Sequence, residues 1–164
     1  MAIDKRALLD ALRARVSAEL EASTRRARDA AEAATHEENR AEGDKDMRAT
    51  EASYIARGQA ERVHELESAL TRLGSMPIKA FAEGDGIAVS AIVVVAHGDD
   101  GAQRTRYFLV LAAGGEKLTT ADGDVLTLAT TSPLGRALLG SSEGDTAEVI
   151  TPQGTKSYEV VSVE

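Results

Sequence analysis

Residues 132–164 read "SPLGRALLGSSEGDTAEVITPQGTKSYEVVSVE". Ser132 is a helix-capping residue, Pro133 suits the first helical position and Gly140 ends the run, so "SPLGRALLG" predicts one short helix. The remainder, "DTAEVITPQGTKSYEVVSVE", holds two alternating runs around "TPQGT", the pattern of a closing β-hairpin. Further upstream, "GIAVSAIVVVAHG" is β-branched and bounded by glycine, "RTRYFLVLAA" follows, and "GGEKLTTADGDVLTLATT" adds turn-separated strands. The C-terminal half therefore predicts a small, mainly antiparallel sheet with one helix across it. In "SPLGRALLG", Leu134, Leu138 and Leu139 are expected in the core.

The pattern changes before "GSMPIKAF", where Gly74 and Pro77 mark a boundary. Up to that point there is no Pro, and Ala, Arg and Glu, strong helix formers, dominate. Apolar and small residues recur at spacings of three and four: Leu9, Leu12, Val16, Leu20, Ser23, Ala27, Ala30, Ala34, then Ala52, Ile55, Gln59, Val63, Leu66, Leu70, Leu73. Each series is one stripe of a coiled coil. Gly43 lies between them, so the two helices are expected to fold back as an antiparallel hairpin. The first helix, of roughly 35 residues, would be roughly 50 Å long. Its seam shifts from Leu and Val to Ala toward the turn, predicting a hairpin thinnest near its tip and anchored by a second domain. The expected organisation is α+β: an antiparallel coiled-coil hairpin over 1–75 with an acidic tip at 42–46, then a sheet domain over 76–164.

Composition narrows the functional classes. The chain has 164 residues, no cysteine and a formal net charge of −8. Disulfides and Cys-based zinc sites are excluded. Residues 1–75 carry 13 Lys/Arg against 15 Asp/Glu, and 76–164 carry 6 against 12. Neither half has the positive surplus that drives independent DNA or RNA binding. The opening residues carry charges throughout, and no apolar run reaches the roughly 20 residues of a membrane span. A cytoplasmic protein without membrane contact is expected. With two Phe, three Tyr and no Trp, the cores must be built from Ala, Leu, Val and Ile.

Several motifs are absent. There is no GxxxxGK[ST] loop and no GxGxxG after a strand; "GGEKL" and "ADGDVL" are read as turns. Ser132 has no Gly-x-Ser-x-Gly setting. His36 and His64 fall on different helices and His97 in the other half, so no zinc set is expected. Arg25, Arg26 and Arg28 read as a solvated flank pairing with nearby Glu.

The order "SP", "LLG", "EGD", "TPQG" and "EVVSVE" over residues 132–164 resembles the C-terminal part of the Gre transcript-cleavage factors. "AERVHELESAL" also resembles the segment where that family returns to its second domain. The resemblance implies an α-hairpin followed by an FKBP-like sheet domain; the scarcity of aromatics argues against a proline pocket of the isomerase kind. It implies a monomer with no catalytic site of its own, bound to RNA polymerase and reaching the RNA 3′ end only through it. The coiled coil would enter the secondary channel, where acidic tip residues help hold Mg²⁺, and the polymerase then cuts backtracked RNA. The short helix, with Ser132, Pro133, Leu134 and Arg136, would touch the polymerase.

The tip is the stretch "NRAEGDKDMRATE", residues 39–51. The family tip is close to Gly-Asp-Leu-Lys-Glu-Asn, with two acids three apart. Here Gly43 precedes Asp44, but the residue three further on is Met47, and Asp46 comes one earlier. On a helix that shift turns a side chain by roughly 100°. Setting "EASY" against the family's "NAEY" instead puts Met47 at an acid's place. Asp44 and Asp46 are the candidate metal-holding acids, with Glu42 as a substitute. Alternatively Asp46 caps the second helix. Glu37 and Glu38, near the end of the first helix, oppose its macrodipole, which favours a role other than stability. The order Asp44, Asp46, Arg48, Ala49, Glu51 also resembles, one residue out of step, the tip of DksA-type regulators, which enter the same channel without stimulating cleavage. Two readings stand: a cleavage-stimulating factor, and a channel-binding regulator that competes with such factors. A coiled-coil or chaperone-like interaction protein is the reading from another class.

Overall fold

The computed structural model describes residues 3–38, 45–98 and 101–164. Two long helices come first, α1 (Lys5–Glu38) and α2 (Lys45–Gly74). Six strands follow, β1 (Ile92–His97), β2 (Gln103–Val110), β3 (Lys117–Thr120), β4 (Gly123–Ala129), β5 (Thr146–Thr151) and β6 (Gly154–Val163), with the short helix α3 (Pro133–Leu138) between β4 and β5. The chain is thus α+β, a helical hairpin followed by a sheet bearing one short helix. It divides into two compact units, Met1–Arg13 with Arg72–Glu164, and Ala14–Thr71. The division cuts through both helices rather than falling at residue 75, because the outer ends of α1 and α2 belong with the sheet.

In the helical unit, burial follows the stripe expected for α1. Val16, Ser23 and Ala34 are buried, and Leu20, Ala27 and Ala30 half-buried. The α2 stripe runs Ala49, Ala52, Ala56, Gln59, Val63, Leu66 and Leu70. Ile55, expected in this seam, is 53% exposed and Ala56 takes its place. Both positions satisfy a three-and-four spacing. On α1 the matching stretch of the stripe is also built of small residues, Ala27, Ala30 and Ala34. Ser23, fully buried, is satisfied locally: Arg26 Nη2 donates to its Oγ at 2.9 Å, and that Oγ lies 3.3 Å from Glu19 Oε1. Arg26 also pairs with Glu19 at 3.1 Å, the flank pairing expected of the arginine run.

The sheet order is β3-β4-β2-β1-β6-β5. Four of its five pairings are antiparallel, and β2 with β4 is parallel. The connection after β2 carries the β3–β4 hairpin past the edge, so β4 returns beside β2 in the same direction. β6 carries one extra residue opposite Val94/Val95, a bulge between Ser162 and Val160. Val93, Val95, Leu109, Leu128, Ala147 and Val160 pack with Leu138 of α3 into one core. The opposite face carries Ile92, Phe108, Val110 and Val125, all fully buried. Leu8, Leu9, Leu12, Leu73 and Met76, at the outer ends of α1 and α2, are buried in the same compact unit. There Lys5 lies 4.6 Å over the Phe81 ring and donates to the Lys79 carbonyl at 3.0 Å.

Candidate functional site

Two places were indicated by sequence: the acidic tip and the short helix of the sheet unit. Glu42 and Asp44 lie outside the described residues, as does the side chain of Asp46. The backbone of Asp46 falls within α2, which already includes Lys45, so Asp46 stands in the first turn and not at the cap. Glu37 and Glu38 fall in the last turn of α1. Met47, the residue at the acid's place in one alignment, is 86% exposed. Among the described residues no group of three His, Cys, Asp or Glu side chains could hold a metal ion.

The short helix is built from the sequence features that announced it. Ser132 is extended (φ −69°, ψ 159°) and caps α3: its Oγ accepts from the Gly135 N–H at 3.0 Å and donates to the Ala129 carbonyl at 2.8 Å. Pro133 opens the helix, where a missing N–H costs nothing. Gly135 faces the end of β4 so closely that a β-carbon there would overlap the Ala129 carbonyl oxygen. Gly140 ends the helix at φ +83°, a conformation that costs glycine nothing. Its N–H donates to the Ile87 carbonyl at 2.8 Å, and Ile87 N–H donates to the Ser141 carbonyl at 2.8 Å. These paired bonds fix the loop 82–87 beside the loop 140–145. Each loop closes on its own aspartate: Ala82 N–H donates to Asp85 Oδ2 at 2.8 Å, and Ser142 N–H to Asp145 Oδ2 at 2.7 Å.

Of the four residues expected to meet a partner, the fold brings Pro133 and Arg136 together on the exposed side of α3. Ser132 and Leu134 turn inward, the first to cap and the second to pack on the core. Leu139, expected in the core, is instead 41% exposed, because the chain leaves the helix there with ψ 127°. Only Leu138 is fully buried on that turn. The resulting surface has an apolar rim (Pro133, Leu139), one guanidinium (Arg136) and flanking carboxylates on the two pinned loops. The exposure of Leu139 was not legible, because a leucine beside a buried leucine reads as core until the helix end is placed.

His97 Nε2 lies 2.9 Å from Thr105 Oγ1, and its ring is 5.6 Å from that of Tyr158. Tyr107, beside Thr105, has its pKa raised above the usual 10.0, first by burial and then by Tyr158, with the Thr105 hydrogen bond opposing. On β3 and β4, Lys117 pairs with Asp124 at 2.5 Å, and the Thr119 hydroxyl donates to Asp124 at 2.9 Å. Those two partners, Lys117 first, hold the Asp124 carboxyl below its ordinary range. The Lys117–Asp124 pair braces β3 against β4, while His97 and Tyr158 line a cavity together with Gln103, Thr155, Lys156 and Ser157. Among the described residues no helix is long and apolar enough to cross a membrane.

The family described as "Transcription elongation factor, GreA/GreB, C-term" matches residues 82–164. A transcription elongation factor GreA of Rickettsia typhi is 40% identical over 103 residues, 63% of this chain and 59% of that protein. The chain thus matches about three fifths of the length of such relatives. The GreA of Brucella anthropi is 32% identical over 118 residues, 69% of this chain and 70% of that protein. Among solved structures, Thermus aquaticus Gfh1 covers 92% of both chains at 24% identity with a TM-score of 0.37.

Proposed function

The chain belongs to the GreA/GreB family of transcription elongation factors, and from that we propose that it binds bacterial RNA polymerase and stimulates the polymerase's own cleavage of backtracked RNA. The observation that carries this reading is the family match across residues 82–164, which takes in every strand and the short helix. On this reading Pro133, Arg136 and Leu139 meet the polymerase, with Ser132 and Leu134 holding α3 in place beneath them. The chain is an accessory factor: the polymerase breaks the phosphodiester bond.

The hairpin then serves as a slim rod for the secondary channel. Its alanine seam suits that task, because small seam residues let two helices approach closely. Glu42, Asp44 and Asp46 are carboxylate donors of the kind Mg²⁺ prefers, so the residue types fit that ion. A Mg²⁺ shared with the polymerase supplies charge neutralisation at the scissile phosphate. The tip acids would help place it. The competing reading, a channel-binding regulator without cleavage, is favoured by one observation: Met47 stands where one alignment puts an acid, and it is 86% exposed.

The test is RNA cleavage in stalled, backtracked elongation complexes, with wild type, Asp44→Ala and Asp46→Ala. Wild-type stimulation lost in the variants supports the cleavage factor. Binding to polymerase without stimulation transfers the case to the regulator.

A further inference from the structure

The core face of the sheet continues past the core itself. Val95 and Val160, register partners on β1 and β6, are buried in that core. Two residues further along each strand, on the same side of the pleat, stand His97 and Tyr158. Gln103 is the register partner of His97 on β2 and extends the row. Lys156 lies two residues beyond Tyr158, again on the same side. The sheet order β2-β1-β6 thus brings together residues remote in the chain. With Thr155 and Ser157 they line a cavity of about 490 Å³, a size within the roughly 300–1,000 Å³ of small-ligand sites. The lining holds an ammonium, an imidazole, an amide, two hydroxyls and a phenol, and none of its residues is Asp or Glu. Residues 76–164 carry 12 acids against 6 Lys/Arg, so a lining rich in donors and free of carboxylates differs from the rest of this half. Asp99 and Asp100 lie outside the described residues and are not assigned to it. Among the described residues the side chains of Gln103, Lys156 and Ser157 have no hydrogen-bond or ion-pair partner. His97 and Tyr158, by contrast, are held: the imidazole by Thr105 at 2.9 Å, the phenol ring by His97 and by packing against the core.

We propose that this cavity binds a small organic anion with a flat ring, of the nucleoside monophosphate class. The ring stacks on Tyr158, which is already braced and loses little freedom on binding. Lys156 meets the phosphate as a point charge on a flexible stem. Gln103, Thr155 and Ser157 offer the neutral donors and acceptors that a sugar and a base edge need. With His97 Nε2 engaged by Thr105, its Nδ1 is left for the ligand. A bare inorganic anion fits less well, because it would leave the Tyr158 ring uncovered. A purely apolar ligand fits less well, because the polar lining would lose water and gain no partner. A long phosphate chain such as RNA needs several cations in a row, and the lining has one ammonium. The site belongs to the sheet unit alone, and the proposal does not depend on binding to polymerase.

The experiment titrates the full chain with adenosine monophosphate, uridine monophosphate, adenosine and inorganic phosphate, followed by calorimetry and amide NMR shifts. At least one monophosphate should bind saturably below the millimolar range, about tenfold or more tighter than adenosine or phosphate alone. Its shifts should gather at His97, Gln103 and Lys156 to Tyr158. Lys156→Gln should weaken binding about tenfold, as the loss of one charge-assisted hydrogen bond does. Lys156 is exposed, so that variant should keep the wild-type urea midpoint. Arg62→Gln, the same change of charge on α2, should leave binding unchanged. The proposal is overturned if neither monophosphate binds saturably, or if adenosine or phosphate alone binds as tightly. It is equally overturned if the shifts gather elsewhere, or if Lys156→Gln weakens binding no more than Arg62→Gln.

Discussion

A β-carbon on Gly135 would overlap the carbonyl of Ala129, which already accepts from Ser132. Gly135→Ala should therefore destabilise the sheet unit by about 1–3 kcal/mol, the usual cost of overpacking, seen as a lower urea midpoint. Ser132→Ala removes a cap and should cost about 1 kcal/mol. Such costs show why "SPLGRALLG" was legible: each of its special residues answers a local requirement. Tyr107 gives a pH test. Its folded pKa is raised above 10.0, chiefly by burial. Below pH 10 both states keep the proton, and the full stability is present. As pH rises through 10 the unfolded chain ionises first, so stability falls until the folded tyrosine follows. Urea midpoints measured from pH 8 to 11 should decline more steeply in the wild type than in Tyr107→Phe.

Elements were legible where the signal was periodic. The α1 stripe from Leu9 to Ala34 stood in the sequence because apolar and small residues recur against Arg and Glu. On α2 the stripe was legible except at Ile55, which hydrophobicity marked and which the structure exposes while half-burying Ala56. Two substitutions measure that exchange. Ile55→Ala should change hairpin stability by under about 0.5 kcal/mol, as exposed positions do. Ala56→Leu should cost about 1–3 kcal/mol by adding bulk on the buried side of the helix. Thermal unfolding followed by circular dichroism reads both; equal effects would contradict the seam described. Strands were legible as strands, and both two-residue turns, at Ala121–Asp122 and Pro152–Gln153, fell where the turn residues put them. The parallel pairing of β2 with β4 was not legible, because it depends on which edge the β3–β4 hairpin meets. No local residue records that choice.

At the scale of the molecule, two compact units share two helices, whose outer ends carry Leu8, Leu9, Leu12 and Leu73 into the sheet unit. The family was legible in the order of the motifs over residues 132–164, and the family match begins well before them, at residue 82. The tip was legible as a cluster of acids and no further, since the spacing of Asp44 and Asp46 departs from the family's and their side chains lie outside the described residues. The cavity beside His97 was missed, because His97, Gln103 and Tyr158 read as scattered until the register of β2, β1 and β6 sets them side by side. The central claim is that the chain is a polymerase-binding factor of the secondary channel, whether or not its tip supports cleavage. The most direct measurement is binding of the fluorescently labelled chain to RNA polymerase, with unlabelled GreA as competitor. The account predicts saturable binding that GreA displaces. Absence of binding, or simultaneous occupancy of the polymerase by both proteins, would contradict it.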